Sequence, residues 1–463
     1  MSVLANRYAS KEMREIWSAE NKIKAERRLW IEVMKFQAAT LNLPAEAIAK
    51  YESVLEKIDL TSIDEREKKN RHDVKARIDE FNALVGHEYI HLGMTSRDLT
   101  ENIEAAQILS ALKLIQERTA SLLFQIAKKA ELYKALPIVG RSHNVPAQIT
   151  TMGKKFATVG EELLFAFERL NNLIERYPLR GFKGPVGTAQ DMSDLMGSAN
   201  EIESAIAKSL GFSRTLDSTG QVYPRSFDFD VISALVQLSA APSNLATNIR
   251  LLAGFELMSE GFAPNQVGSS AMPHKMNSRS CERINGLAVV LRGYLSMISE
   301  VSGDQWNEGD VSDSVVRRVA LSDAFFALDA IIETTLTVLN EFGIFEANIK
   351  KEIEEQLPFL ATTKILMAAV KAGAGRETAH EALKELSTKA LIAKREGKLS
   401  SLIDAIAADP RIPLDKSALE TIISNPKEFI GDASSQTERV ITRISDAIKD
   451  FPAAGAYHPT PIR

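Results

Sequence analysis

The sequence predicts an all-α protein organised around long helices, on three observations. Proline is absent from residues 45 to 136 and again from 274 to 357, which leaves room for helices of unusual length. Apolar residues recur at spacings of three, four and seven over several tens of positions. Alternation of the kind that marks strands is scarce.

Taken in order, residues 1–97 are expected to form a smaller helical N-terminal division. From Asp98, the series Ile108, Leu112, Ile115, Leu122 and Ile126 keeps one apolar stripe on a helical face as far as about Tyr133, a rod of roughly 50 Å. The glycine-rich stretch GFKGPVGT at 181–188 supports at most a short hairpin. Leu238, Leu245, Ile249 and Leu252 mark a second rod, and Ile284, Leu287, Leu291, Leu295 and Ile298 a third. Such rods are longer than a small domain is wide, so residues 98–356 are predicted to pack as a near-parallel bundle with crossing angles of about 20°. Residues 357–463, opening at LPFLATTK, form the expected C-terminal helical division and end in a flexible tail, PAAGAYHPTPIR. The rods carry more apolar face than one chain covers, so other copies of the chain are expected to complete the bundle. The simpler alternative is that the flanking helices cover it.

At 463 residues, 45% hydrophobic and 25% charged, the chain can bury a large core. Its 56 basic and 61 acidic side chains are interspersed, for a net charge of −5, so the electrostatic footprint of a nucleic-acid binder is missing. Cys281 stands alone and cannot form an intrachain disulfide, which suits a reducing compartment. No uncharged apolar run approaches the ~20 residues of a membrane span, and the N-terminal stretch lacks an apolar signal core. A cytoplasmic protein is expected.

Between the second and third rods lies GSSAMPHKMN, residues 268–277, with more polar chemistry than a connector needs. Gly268 and Pro273 fix an irregular backbone, so the hydroxyls, Lys275 and Asn277 can be aimed at one ligand. A cation, an amide and the N-terminus of the next helix suit a carboxylate that gains negative charge during a reaction. A serine hydroxyl is too weak an acid to serve as a base unless N–H groups and the lysine stabilise its alkoxide.

Of seven histidines, His72, His87, His91, His143 and His274 sit in polar islands, while His380 and His458 stand apart. The island GMTSRD, residues 93–98, can break the chain at Gly93 and cap the first rod through Thr95 or Ser96. The N–H groups at such a helix start bind carboxylate or phosphate, although a plain N-cap has the same sequence. Arg7, Arg71, Arg225, Arg283 and Arg318 are further anion-binding candidates, each equally readable as a solvated surface residue. HEYIH at 87–91 fits the H-E-x-x-H of zinc peptidases. Gly93 follows too soon for a zinc helix to continue, and the third histidine of the extended motif is absent.

Together these islands carry a resemblance. The loop G-S-S-x-M-P-x-K-x-N resembles the signature of the fumarase/aspartase superfamily, and the rest resembles its adenylosuccinate lyase branch. The match runs through RY (7–8), RHD (71–73), HLGMTSRD, GRSHNVPAQITTMGK (140–154), STGQVYPR (218–225), the loop with CER, DVSDSVVRR (310–318) and LPFLATTKILMAAVKAG. It covers nearly the whole chain in order. The resemblance implies a homotetramer with active sites built from three subunits and no metal or organic cofactor. It also implies elimination of fumarate from adenylosuccinate, leaving AMP, and from the succinylated aminoimidazole carboxamide ribotide (SAICAR), leaving AICAR. By the family pattern Ser269 is the base and its neighbour Ser270 is not, His143 is the acid, and Glu282 is the carboxylate partner of that histidine. Lys275 and Asn277 would hold the charge that develops on the substrate carboxylate. Arg7, Tyr8, Ser314 and Arg318 match nucleotide and phosphate contacts, and Arg71, His72 and Asp73 match contacts around base and phosphate. Thr95, Ser96, Gln221 and Arg283 match groups around the succinyl portion, and His91 falls at a family active-site histidine.

Three positions depart from that pattern. Ser278 replaces a proline and Ser142 a threonine, while Gly309 stands where an anion-gripping arginine is usual, with Arg317 the expected substitute. The competing expectations are another lyase or a cycloisomerase of the same superfamily, a zinc peptidase, and a catalytically silent helical scaffold. Retention of Ser269, His143, Lys275 and Glu282 argues against the last.

Overall fold

The computed structural model describes residues 2–261, 272, 274–398 and 401–460; Gly268, Ser269 and Ser270 of the signature loop lie outside the described residues. Among the described residues there are nineteen α-helices and two two-stranded sheets, so the all-α expectation holds.

Five helices form the centre: Ser96–Leu132, Met152–Arg176, Ser226–Gly254, Arg279–Val301 and Asp313–Glu341. The first spans 37 residues and begins two positions before the expected Asp98, because Thr95 takes the N-cap and closes a capping box with Asp98. The apolar series Ile108, Leu112, Ile115, Leu122 and Ile126 is buried throughout, each side chain contributing about 1.5–3 kcal/mol. Ser226–Gly254 runs straight through Pro242, which leaves the Leu238 carbonyl without its helical donor and costs about 3 kcal/mol. Burial of Val231, Ile232, Leu235, Leu238, Leu245 and Ile249 on the same helix outweighs that cost several times over.

The helix Ala19–Leu41 adds Leu29, Trp30, Val33 and Met34 to the same continuous core. A separate apolar cluster, including Ile365, Leu383, Ile406 and Leu419, lies among the helices between 361 and 423. The helix Ala433–Ala447 then returns to the bundle, where a Cβ at Gly160 would lie 2.9 Å from Ile444 Cδ1. Val289, Val290, Val315, Val319, Leu251 and Phe229 remain exposed on the last three central helices.

The stretch 181–188 makes turns and bends, within the limit of at most a short hairpin, and a hairpin that the sequence did not announce lies at Pro137–Ser142 and Val145–Thr151, with one register shift at Gly140/Arg141. One expectation is overturned. The tail is not loose as far as Thr460. The Tyr457 hydroxyl donates to Glu333 at 2.6 Å, the Thr460 N–H donates to the same carboxylate at 2.5 Å, and the Arg118 guanidinium lies 3.6 Å from the Tyr457 ring centroid. One turn earlier on that helix, Asp329 accepts the Ser10 N–H at 2.6 Å and the Ser10 hydroxyl at 3.2 Å. The two ends of the chain are thus pinned to one face of Asp313–Glu341.

Candidate active site

The histidine expected to act as acid stands at the tip of the hairpin. His143 and Asn144 have φ of 52° and 61°, the two positive values a two-residue type I′ turn requires. Both residue types tolerate this region better than most. The hairpin base is fixed by N–H bonds from Met152 to Leu136 (2.9 Å) and from Gly153 to Tyr133 (2.8 Å). A Cβ at Gly153 would fall 2.5 Å from the Ala130 carbonyl oxygen, so only glycine permits this approach. Nearer the tip, Arg141 pairs with Glu352 and lies 4.2 Å from the Phe255 ring centroid. His143 itself is exposed.

The exit of the signature loop presents Lys275, exposed, and Asn277, half-buried. Ser278 caps the helix Arg279–Val301. The free N–H groups expected there for a substrate are already taken: Ser280 and Cys281 donate to buried Glu260 at 3.0 and 2.9 Å. The chain's own carboxylate thus fills the helix start. Glu282 is exposed on the first turn. Among the described residues no hydrogen bond or ion pair joins His143 to Lys275 or Glu282.

Arg7, Tyr8 and Arg283 do come together. The Tyr8 ring has the Arg7 guanidinium 5.7 Å from its centroid and that of Arg283 at 5.3 Å. Burial, Arg7 and Arg279 all disfavour the charge on Arg283, whose pKa is lowered despite Tyr8 and Glu260. Arg7 and Arg279 thus both lie near enough to Arg283 to disfavour its charge.

A second cluster gathers around the start of Ser96–Leu132. Arg71 closes the helix Leu60–Asn70 in a left-handed conformation, and His72 caps Asp73–Val85 by accepting the Lys75 N–H at 3.2 Å. His72 Nε2 lies 3.4 Å from the Ser96 hydroxyl. Burial opposes the charge on Asp73, but Arg77, the Val74 N–H and Arg318 together hold its carboxyl below the usual range, which places Arg318 beside it. Ser314 sits half-buried on the first turn of Asp313–Glu341. His91 is half-buried at φ 66° and receives the Trp30 indole N–H on Nδ1 at 3.0 Å. Burial pushes it down to about 4, with His72 adding to the fall and Asp98 opposing it. The ring is therefore neutral near pH 7. The H-E-x-x-H spacing does not form a zinc helix: the helix ends at Val85, and His87 Nε2 contacts Lys50 Nζ at 3.2 Å while His91 faces Trp30.

Two arginines are withdrawn from the list of ligands. Arg225 is buried against Glu101, with two bonds of 3.0 Å, and against Asp313. Arg317 is buried with its fork committed to Asp228 (2.8 Å), Glu104 (2.9 Å) and Tyr223 (2.5 Å), so it cannot stand in for a missing arginine at 309. Gly309 has φ 140°, and a Cβ there would lie 2.9 Å from Val222 Cγ2 and 3.4 Å from Gln221 Cβ. The Gln221 N–H is bound to the Glu308 carbonyl at 2.6 Å. This backbone closes on itself where a side chain would need to leave.

The sequence matches the family model described as Lyase over residues 5–293 and that described as Adenylosuccinate lyase C-terminus over residues 358–440. The adenylosuccinate lyase of Saccharomyces cerevisiae is 33% identical over 97% of this chain and 95% of its own. That of Schistosoma mansoni is also 33% identical over 97% of this chain and 95% of its own. The chain belongs to the adenylosuccinate lyase family. Its fold also matches the crystal structure of 3-carboxy-cis,cis-muconate lactonizing enzyme from Pseudomonas putida, with TM-score 0.85 and 20% identity, covering 96% of this chain and 99% of that one. Fumarate lyase from Mesorhizobium sp. BNC1 matches with TM-score 0.81 and 19% identity over 94% and 98%. At those identities the likeness is one of fold.

Within this adenylosuccinate lyase family member, sequence reasoning missed Trp30, Glu260 and the buried carboxylates Glu101, Glu104 and Asp228. Glu260 lies eight residues ahead of the signature loop, and only its position in space reveals that it holds the loop's far stem. From the sequence Asp98 only marks the start of the first rod; in the structure its Oδ2 accepts the Thr95 N–H at 2.8 Å. Its Oδ1 also accepts from Arg180 (2.7 Å), the Lys183 N–H (2.9 Å) and the Gly184 N–H (3.1 Å), so it ties GFKGPVGT to the helix start that carries Ser96.

Proposed function

We propose that this carbon–nitrogen lyase eliminates fumarate from adenylosuccinate, giving AMP, and from SAICAR, giving AICAR, in purine biosynthesis. The observation that carries the reading is the one-third identity, over nearly the full length of both chains, with proteins named adenylosuccinate lyase. The residue roles are those that the family pattern implies. Ser269 removes a proton from the carbon next to a succinyl carboxylate, and the electron pair left behind spreads into that carboxylate. Lys275 and Asn277 neutralise the resulting dianion. The pair then forms the fumarate double bond as the carbon–nitrogen bond breaks, and His143 gives a proton to the departing nitrogen. Glu282 orients His143 and favours its charged form. Arg7, Tyr8 and Ser314, with Arg71, His72, Asp73 and Arg318, hold the nucleotide, while Thr95, Ser96, Gln221 and Arg283 hold the succinyl portion and His91 helps to hold the phosphate.

The active form is a homotetramer in which neighbouring chains bring His143 to the Lys275 and Glu282 of another. The exposed valines on Arg279–Val301 and Asp313–Glu341, and the exposed His143 at the hairpin tip, support this reading. The divisions 1–97, 98–356 and 357–463 would then supply nucleotide-binding groups, bundle and cap, in a cytoplasmic enzyme whose single cysteine is buried. No helix among the described residues is long and apolar enough to cross a membrane.

The test is fumarate release from adenylosuccinate by the purified protein, followed by the ultraviolet change as AMP forms, with the assembly mass read by light scattering. Failure to turn over either succinyl nucleotide, with turnover of a different succinyl adduct or cyclisation of a carboxymuconate, would replace the proposed substrate. A fully active monomer would remove the shared site.

A further inference from the structure

Trp30 belongs to the helix Ala19–Leu41 and is 1% exposed. Its indole N–H donates to His91 Nδ1 at 3.0 Å, and the two rings meet edge to face with centroids 5.9 Å apart. Phe81 stacks on the indole at 6.3 Å, which fixes its plane. An indole N–H only donates. The imidazole nitrogen it meets must therefore offer a lone pair, and the neutral ring then carries its proton on Nε2. Adding a second proton would set two N–H groups against each other in a buried place.

The surroundings leave this contact to decide the tautomer. The ionisable groups acting on His91 are Asp98 and His72. Asp98 is fully engaged, its Oδ1 by Arg180 and the Lys183 and Gly184 N–H groups and its Oδ2 by the Thr95 N–H at 2.8 Å. His72 is occupied by the Lys75 N–H and the Ser96 hydroxyl. The left-handed backbone at His91 delivers the ring to Trp30 from a turn between two helices, so its place depends on what holds its edge.

We propose that Trp30 is a positioning residue that keeps His91 in the Nε2–H tautomer, so that this histidine meets an anionic substrate group as a neutral hydrogen-bond donor. A fixed neutral donor keeps its hydrogen bond across the physiological pH range, while a titrating histidine would lose and regain a charge there. The substrate half of this inference rests on the elimination chemistry proposed above, and the tautomer half does not.

Nitrogen NMR of the full-length protein with labelled histidine reads the tautomer directly. The expected pattern is one ring with an unprotonated Nδ1 and a protonated Nε2, unchanged between pH 6 and 8 and lost in His91→Gln. Trp30→Phe retains an aromatic ring against Phe81 but removes the donor. It should mix the tautomers and raise KM by about three- to tenfold, the worth of one hydrogen bond, with a smaller change in kcat. His91→Gln keeps an N–H near the Nε2 position and should retain more activity than His91→Asn, whose amide is shorter. A His91 ring protonated at Nδ1, or a Trp30→Phe enzyme with the same tautomer and KM, would overturn the proposal. Should Trp30→Phe not fold, the wild-type spectrum and the Gln/Asn pair decide. Absence of turnover by the wild-type protein would strike at the proposed function, while the spectrum would still settle the role of Trp30.

Discussion

Asp329→Asn should stabilise the protein above neutral pH. Burial pushes the Asp329 carboxyl from an ordinary 3.8 up to about 7; the Ser10 N–H pulls the other way, and Glu333 adds to the rise. The folded state binds this proton more tightly than the unfolded chain does. Its stabilising contribution is complete below about pH 4, shrinks as pH rises, and is lost once pH passes through about 7. At 1.36 kcal/mol for each tenfold change, the swing is about 4 kcal/mol. Asparagine imitates the protonated acid, since its oxygen can accept the Ser10 N–H while its NH2 group donates to the Ser10 hydroxyl. The variant should therefore exceed wild type by up to about 4 kcal/mol at pH 8 and by progressively less towards pH 5. Denaturant midpoints measured across that range would show the gap widening with pH. A gap that stays constant, or a variant less stable than wild type at pH 8, would refute the reasoning.

Ser269→Ala should keep the helical circular-dichroism spectrum and lose roughly 10²- to 10⁴-fold in fumarate formation; near-normal turnover would remove the serine as base. His143→Gln should lose a comparable factor, because an amide delivers no proton, and an unaltered pH–rate profile would count against the acid assignment. Arg317→Met leaves Asp228, Glu101 and Glu104 short of a buried cation and should cost about 3–5 kcal/mol in stability. In the fraction that remains folded KM should stay at its wild-type value; a raised KM at unchanged stability would return Arg317 to the substrate.

The long helices were legible because their apolar period persists for many turns. Ser96–Leu132 differs from the expected 98–133 by a residue or two at each end, a matter of which hydroxyl takes the cap. The hairpin was missed because its turn is His-Asn, without the glycine that usually signals type I′. The tail was misread because proline, alanine and glycine suggest looseness, whereas two donors to Glu333 hold it. Arg225 and Arg317 were taken for ligands because nothing in a sequence distinguishes an arginine paired with buried carboxylates from one awaiting an anion. Their partners lie about 90 to 210 positions away and meet them only in the folded bundle. The same long-range pairing hid Trp30, whose neighbour on the chain gives no hint of a histidine sixty-one residues on.

Because His143 occupies a left-handed turn position, shape and chemistry are entangled there. A β-branched replacement such as valine would distort the turn and displace the neighbouring Asn144 and Arg141, so its inactivity would say nothing about protons. Asparagine accepts the same backbone angles and is the shape-neutral control. Variation at this site in natural relatives should accordingly be sorted first by tolerance of positive φ and only then by acidity.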